Sequence, residues 1–331
     1  MDTKKNVQGQ CFKPAWWLKS PHLQTLYPLV DCFFQQVHFN HHQVDLPDGD
    51  FLELALAGSP NAPCCLLLPG TEGSADSPYI KMMTRTLLAM GWQVVVMQYR
   101  SCGRSMNQLA RAYNSLDTGD LEFVLSYLFI KCQIKIDYAV GFSMGGNILV
   151  HYLETHPHSL EAAACVSTPF DFYESALHLP LFYQRYLLKK LVRKAHEKLD
   201  CGIDLPVSRD HLDRFRTLPE FDDVLTAPLY GFDSAEKYYK AARCFPLLGS
   251  LRTPIIMLHA LDDPFIPRHT VPSQSSCASC VTLVGTENGG HLGFVSGWFP
   301  FGRQYWYIDQ VLQFLGQYGF SPVESHSDDK D

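Results

Sequence analysis

Residues 136–156 read "IDYAVGFSMGGNILVHYLETH". The opening run is short and apolar, as a buried strand requires, and the closing part spaces its apolar residues for a helix. Between them stands Ser143, with Gly141 two residues before it, Gly145 two after and Gly146 behind. A strand that turns at once into a helix forces the corner residue into a strained backbone conformation. Glycines on either side let the two elements approach without a Cβ clash. The corner side chain is then held up, away from the sheet. The helix beginning at Met144 points free N–H groups and a positive dipole end at the same place. The pattern therefore predicts that Ser143 is presented as a nucleophile. A fortuitous GxSxG is common in glycine-rich loops, and its position between a buried strand and a helix is what favours the chemical reading.

The rest of the chain keeps the same rhythm. "FFQQVHFNHHQVDLPDGDFLELALAG", from Phe33, predicts two strands joined by the turn Pro47-Asp48-Gly49-Asp50. "PCCLLLPG", "WQVVVMQYR", "KIDYAVGF", "EAAACVST", "TPIIMLHA" and "CVTLVG" predict buried strands. "PYIKMMTRTLLAMG", "DTGDLEFVLSYLFIK", "GGNILVHYLETH" and "GRQYWYIDQVLQFLGQYG" predict helices, the second with Asp and Thr at its start for capping. Strands that are apolar throughout and alternate with helices imply an α/β fold, a mostly parallel sheet with helices on both faces. Residues 171–230 break the rhythm with the basic amphipathic stretch "YQRYLLKKLVRKAHEKL" and a polar segment. The expected organisation is an irregular N-terminal arm at 1–32, a core at 33–170 and 231–320, a helical lid insertion at 171–230 and a polar tail at 321–331.

Bulk properties narrow the function. The 331 residues carry a net charge of −7 and no basic tract, which argues against nucleic-acid binding. No run reaches the ~20 apolar residues needed to span a bilayer, and the start of the chain lacks the apolar core of a secretory signal. Several of the eleven cysteines, Cys64, Cys65 and Cys165 among them, sit in apolar runs as small hydrophobes. Reduced thiols in a cytoplasmic setting are expected. The lone Cys277-Ala278-Ser279-Cys280 lacks the second half of a zinc site and reads as two loop cysteines.

A serine hydroxyl needs a base, itself oriented by a carboxylate. In this architecture the order along the chain is Ser, then Asp or Glu, then His. "LDDPFIP" follows one strand and "TENGGHLGF" the next, so His291 is the expected base, brought in on the flexible Asn288-Gly289-Gly290. Its bland reading is a surface-loop histidine. Asp262 and Asp263 compete for the acid. The spacing A-x-x-D-x-x-I-P, common at this position in such enzymes, favours Asp263 and leaves Asp262 to cap the loop or meet solvent. Two backbone N–H donors are needed for the developing oxyanion. Met144, next to the nucleophile, supplies one, and the loop "PGTEGSADSPY" points to Thr71 for the other.

These motifs, with "SPHLQTLYP", "GWQVVVMQYR", "YQRYLLKKL", "EFDDVLTAPLYGF" and "GGHLGF", run over nearly the whole chain. The sequence resembles the YheT-like esterases of the α/β-hydrolase superfamily (the abhydrolase type-4 group). The resemblance implies an α/β-hydrolase fold, carboxylic-ester hydrolysis through Ser143, Asp263 and His291, and no metal or other cofactor. Three departures bear on substrate preference: Pro69-Gly70 where His-Gly is usual, Ser101-Cys102-Gly103-Arg104 for Gly-Cys-Ser-Gly, and Tyr113-Asn114-Ser115-Leu116 for Tyr-His-Ser-Gly. The expected substrates are short- to medium-chain or lipid-derived esters. Three other readings compete: acyl transfer to an alcohol by the same residues, a lipid-surface binder using the basic helix and Trp16-Trp17, and metal or thiol chemistry at His38, His41 and His42 or the CxxC. The histidine spacing on a strand suits a shared metal poorly.

Overall fold

The computed structural model describes residues 12–32, 36–298 and 304–323. An eight-stranded sheet is built from β1 (Asn40–Asp45), β2 (Phe51–Ala57), β3 (Cys64–Leu68), β4 (Gln93–Gln98), β5 (Ile136–Phe142), β6 (Ala162–Val166), β7 (Ile255–Ala260) and β8 (Val281–Thr286). Their spatial order is β1-β2-β4-β3-β5-β6-β7-β8. β1 and β2 form an antiparallel hairpin, β2 runs antiparallel to β4, and every later pairing is parallel. The first strand was expected to begin at Phe33; residues 33–35 lie outside the described residues, and pairing starts at Asn40.

The unbroken apolar runs follow from burial on both faces. Side chains alternate across a strand, so Cys64, Leu66 and Leu68 of β3 enter one core layer while Cys65 and Leu67 enter the other. The first layer is completed by Leu121, Val124 and Leu128 of α3 (Thr118–Cys132) and Ile148 of α4 (Met144–Thr155). The second is completed by Ile80, Met83 and Leu87 of α2 (Pro78–Ala89) and Val311 and Phe314 of α11 (Trp306–Gly316). Cys64, Cys65 and Cys165 are buried apolar residues, and burial pushes each thiol up, Cys64 to about 12. Asp117 stands at the start of α3 without a side-chain capping bond; it pairs with Arg111 at 2.5 Å instead.

The N-terminal arm departs from expectation. Its prolines suggested irregular chain, yet Pro21–Asp31 forms helix α1 with Pro28 inside it. Pro21 occupies the first turn, where its missing N–H is not needed, and tertiary bonds hold the helix in place despite Pro28. The Gln24 amide donates to the carbonyls of Leu18 and Val295 and accepts from the Val295 N–H at 2.7 Å, clamping α1 to the chain just beyond His291.

Between β6 and β7 the chain is helical. It comprises α5 (Phe172–His178), α6 (Leu181–Asp200), α7 (Arg209–Leu212), α8 (Leu218–Phe221), a π-helical turn (Asp222–Thr226), α9 (Ala227–Leu229) and α10 (Ala235–Ala241). The short helices after α6 had no strong periodicity in the sequence, because each is a turn or so held by neighbours. α6 lies over the carboxyl edge of the sheet. Lys198 is buried there and donates to the carbonyls of Leu109, Ala110 and Arg111 at 2.6–3.0 Å.

One buried charge ties the hairpin to the parallel sheet. Arg100, just after β4, forks onto both oxygens of Asp120 on α3 at 2.7 Å, and also meets Asp48 and Asp50 of the β1–β2 turn. Removing one partner of a buried pair strands the others. Arg100→Met is expected to lower unfolding stability by about 3–5 kcal/mol, read from the urea midpoint. A midpoint equal to wild type would refute this account of the hairpin junction.

Candidate active site

β5 ends at Phe142, α4 begins at Met144, and Ser143 between them has φ +51° and ψ −120°. Such backbone costs of order 1–3 kcal/mol and survives only where surroundings enforce it. The glycines show how. A Cβ on Gly141 would lie 2.6 Å from the Gly146 backbone, and one on Gly145 would lie 2.3 Å from the Leu68 carbonyl oxygen. The corner is thus pressed into β3 and its own helix, and the Ser143 N–H is tied to the Val166 carbonyl at 2.9 Å.

The structure brings Ser143, Asp263 and His291 together. Each leaves the carboxyl end of its strand: Ser143 after β5, Asp263 after β7 and His291 after β8. His291 Nδ1 is 2.8 Å from Asp263 Oδ2, and Nε2 is 3.1 Å from Ser143 Oγ. A carboxylate only accepts, so Nδ1–H donates to Asp263, and Nε2 is left to accept from the hydroxyl. Asp263 Oδ1 accepts from the Phe265 N–H at 2.7 Å, which fixes the carboxylate. Asp262 turns the other way and caps the histidine loop, accepting from the Gly290 N–H at 2.9 Å.

Thr71 and Met144 also meet here. Met144 opens α4, so its N–H has no partner within the helix. The Thr71 hydroxyl approaches Met144 Sδ at 3.6 Å, and a Cβ on Gly70 would stand 3.1 Å from Ser143 Cβ. The 70–73 turn therefore abuts the serine corner.

Several supports escaped sequence reasoning. The His291 N–H donates to Thr25 Oγ1 on α1 at 2.9 Å, and a Cβ on Gly290 would lie 2.4 Å from the Pro21 carbonyl. Gly290 thus serves close packing on α1, while a Cβ on Gly289 would meet Phe294 and Ala260. The signal was "SPHLQTLYP", whose role is invisible without the fold. Phe265 stacks on the imidazole, ring centres 4.0 Å apart and planes within 6°. Tyr183 of α6 packs on Phe265 in turn. A cavity of about 450 Å³ opens over Ser143 and His291, walled by apolar residues such as Leu179, Leu187, Leu191, Leu225 and Leu229. Among the described residues no His, Cys, Asp or Glu cluster has the makings of a metal centre, His38, His41 and His42 included.

The family description "alpha/beta hydrolase fold" matches residues 65–297. YheT of Escherichia coli (strain K12) is 35% identical over 86% of this chain and 87% of its own. A Saccharomyces cerevisiae protein named monoacylglycerol lipase is 31% identical over 76% of this chain and 59% of its own. Among solved structures, the Pyrococcus furiosus esterase Pf2001 covers 87% of this chain with a TM-score of 0.56 at 14% identity, 93% of its own length being matched; this likeness speaks for the fold alone.

His259 on β7 offers a test of the site's floor. It is buried without a hydrogen-bond partner, and desolvation pushes it down to about 4. A folded-state pKa below the ordinary value makes the folded form bind fewer protons, so this contribution is full above pH ~6.5 and is lost as pH falls towards 4. Relative to His259→Leu, the wild type should therefore lose about 3 kcal/mol of stability between pH 6.5 and 4. Parallel pH profiles for the two proteins, by chemical unfolding, would contradict it. With the fold, the site geometry and these likenesses together, the protein belongs to the α/β-hydrolase family, in its YheT-like esterase branch.

Proposed function

We propose that the protein hydrolyses carboxylic esters of lipid origin through Ser143, His291 and Asp263. The observation that carries this is the unbroken hydrogen-bonded line from Asp263 Oδ2 through the imidazole to Ser143 Oγ, at 2.8 and 3.1 Å. His291 Nε2 takes the serine proton as Oγ attacks the ester carbonyl. Asp263 stabilises the imidazolium that forms, and the N–H groups of Thr71 and Met144 receive the charge on the carbonyl oxygen. His291 then protonates the departing alcohol, leaving an acyl group on Ser143. Water, deprotonated by the same imidazole, releases the carboxylic acid.

The apolar cavity favours an acyl chain over a polar substrate, and the lipase relative points the same way. In this reading residues 171–230, with α6 at their centre, act as a lid over the cavity. Its mouth supports peripheral contact with a lipid surface. Leu29 and Phe182 line the opening yet stay largely exposed, and Val30, Leu177, Leu181 and Tyr186 are exposed beside them. α1 and α6 meet there, His22 Nδ1 lying 3.1 Å from the Tyr183 hydroxyl. Arg185 and Lys189 stand exposed on the same stretch of α6, within reach of anionic headgroups. The basic character is less than the sequence suggested, because Lys194 and Lys198 turn inward. All ten described cysteines are free, which fits the cytoplasmic setting we propose.

Fluorophosphonate labelling and hydrolysis of p-nitrophenyl esters of graded chain length test the chemistry. Ser143→Ala should abolish both, and Asp263→Asn should cut kcat by roughly 10⁴ with little change in KM. Labelling that survives Ser143→Ala removes the serine from its role. For the surface, Val30→Ser with Leu181→Ser should reduce flotation with anionic liposomes while leaving a soluble ester's turnover unchanged. Equal flotation would remove the lipid-contact reading and leave the chemistry standing.

A further inference from the structure

The turn that presents Thr71 contains an anomaly. The Gly73 N–H bonds to the Gly70 carbonyl at 2.9 Å, and Glu72, third in the turn, has φ +58°. That position favours glycine or asparagine, since a side chain there is strained. Glutamate occupies it, and its side chain is nearly sealed from solvent at 2% exposure. A strained residue with a buried charge implies that the charge is used.

Its bonds say for what. Glu72 Oε1 accepts from the Tyr113 hydroxyl at 2.9 Å and from Lys194 Nζ at 2.8 Å, and the Glu72 N–H donates to the same Tyr113 oxygen at 2.8 Å. Tyr113 stacks on Tyr99, whose hydroxyl donates to the Pro69 carbonyl at 3.0 Å. The chain is thus gripped on both sides of Gly70-Thr71. The Pro69 side is held from within the sheet. The Glu72 side is held from α6, the helix that covers the cavity, since Lys194 is a residue of α6.

We propose that Lys194 is a positioning residue: through Glu72 it holds the 70–73 turn so that the Thr71 N–H stays directed at the reacting carbonyl. This rests on the oxyanion role given to Thr71 above. When α6 is seated, the buried carboxylate has its counter-charge and the turn keeps its strained shape. When α6 lifts, Lys194 leaves with it, Glu72 loses the bond that tethers it, and the strained turn relaxes whether or not the group at 72 is charged. A covered cavity and two aligned N–H donors are therefore one state of the protein. Ester chemistry proceeds with the helix down, and exchange of substrate and product takes place with the donors out of line.

The experiment compares wild type, Lys194→Met and the double variant Glu72→Gln/Lys194→Met on a soluble p-nitrophenyl ester. Rates are normalised to active sites titrated with a fluorophosphonate. A loss of stability alone lowers the titrated fraction and leaves kcat per site untouched. The expected result is full titration, kcat per site down roughly 10- to 100-fold, short of the 10²–10³ for removing an oxyanion donor outright, and KM within about twofold. Inhibition by a trifluoromethyl ketone, which mimics the tetrahedral oxyanion, should weaken by the same factor as kcat/KM. The double variant buries no unpaired charge, so it answers for the single variant should that one not fold. A kcat per site within twofold of wild type in either folded variant overturns the proposal. Ser143→Ala is run alongside: if it stays active, the chemistry assigned to Ser143 fails, and that outcome is separate from any result at Lys194.

Discussion

The architecture of the site depends on the absence of Cβ atoms at one corner. β5 and α4 meet so closely that a methyl group at Gly145 would lie inside the carbonyl layer of β3, and one at Gly146 would stand 1.9 Å from Thr168 Oγ1. This contact forces Ser143 to a positive φ and lifts its hydroxyl out of the sheet. It also sets α4 so that Met144 lies beside the loop after β3. Backbone strain of about 1–3 kcal/mol is maintained by a core packed on both faces of the sheet. A corner of this kind needs such a core, because a loop free to relax would not hold the conformation.

Around that corner the other groups arrive from far apart in the chain. Asp263 is 120 positions after Ser143 and His291 another 28 on, yet parallel strands deliver all three to one edge. Once there, each is held by at least one bond outside the line from Asp263 through His291 to Ser143. Asp263 is held by the Phe265 N–H, His291 by Thr25 and by the Phe265 ring, and the histidine loop by Asp262. Adjacent aspartates on one turn thus divide into two tasks because their side chains leave the backbone in different directions.

Charge is distributed in a way that a count of residues conceals. The protein is acidic overall, and its most basic helix directs part of that charge inward. Lys194 meets a carboxylate, and Lys198 meets three carbonyls, where burial lowers it to about 8. Of the outward remainder, Arg185 and Lys189 lie among exposed aromatic and aliphatic side chains near the cavity mouth. The same helix can therefore send some of its bases into the structure and leave others at the surface, because successive residues of a helix point in different directions.

The order of strands and helices was legible in the sequence, since burial on both faces writes itself as apolar runs and a turn without room for Cβ writes itself as glycine. The identity of the serine corner followed from those two local rules. Beyond the Ser143, His291 and Asp263 grouping that the motifs implied, what the sequence alone left open was the contacts made across distance. It offered two aspartates and favoured Asp263 by spacing, and their directions in the fold put that one on the imidazole and Asp262 on Gly290. It suggested an irregular arm, because prolines break local helix bonds; the Gln24 clamp that restores a helix reaches Val295, 271 positions away. It made Lys194 one more base on a basic helix, and Glu72 one more loop acid. Their pairing, 122 positions apart, exists only because the covering helix lies across the sheet's edge. Local sterics and periodicity act within a few residues and can be read along a chain, whereas the partner of a buried charge is chosen by packing.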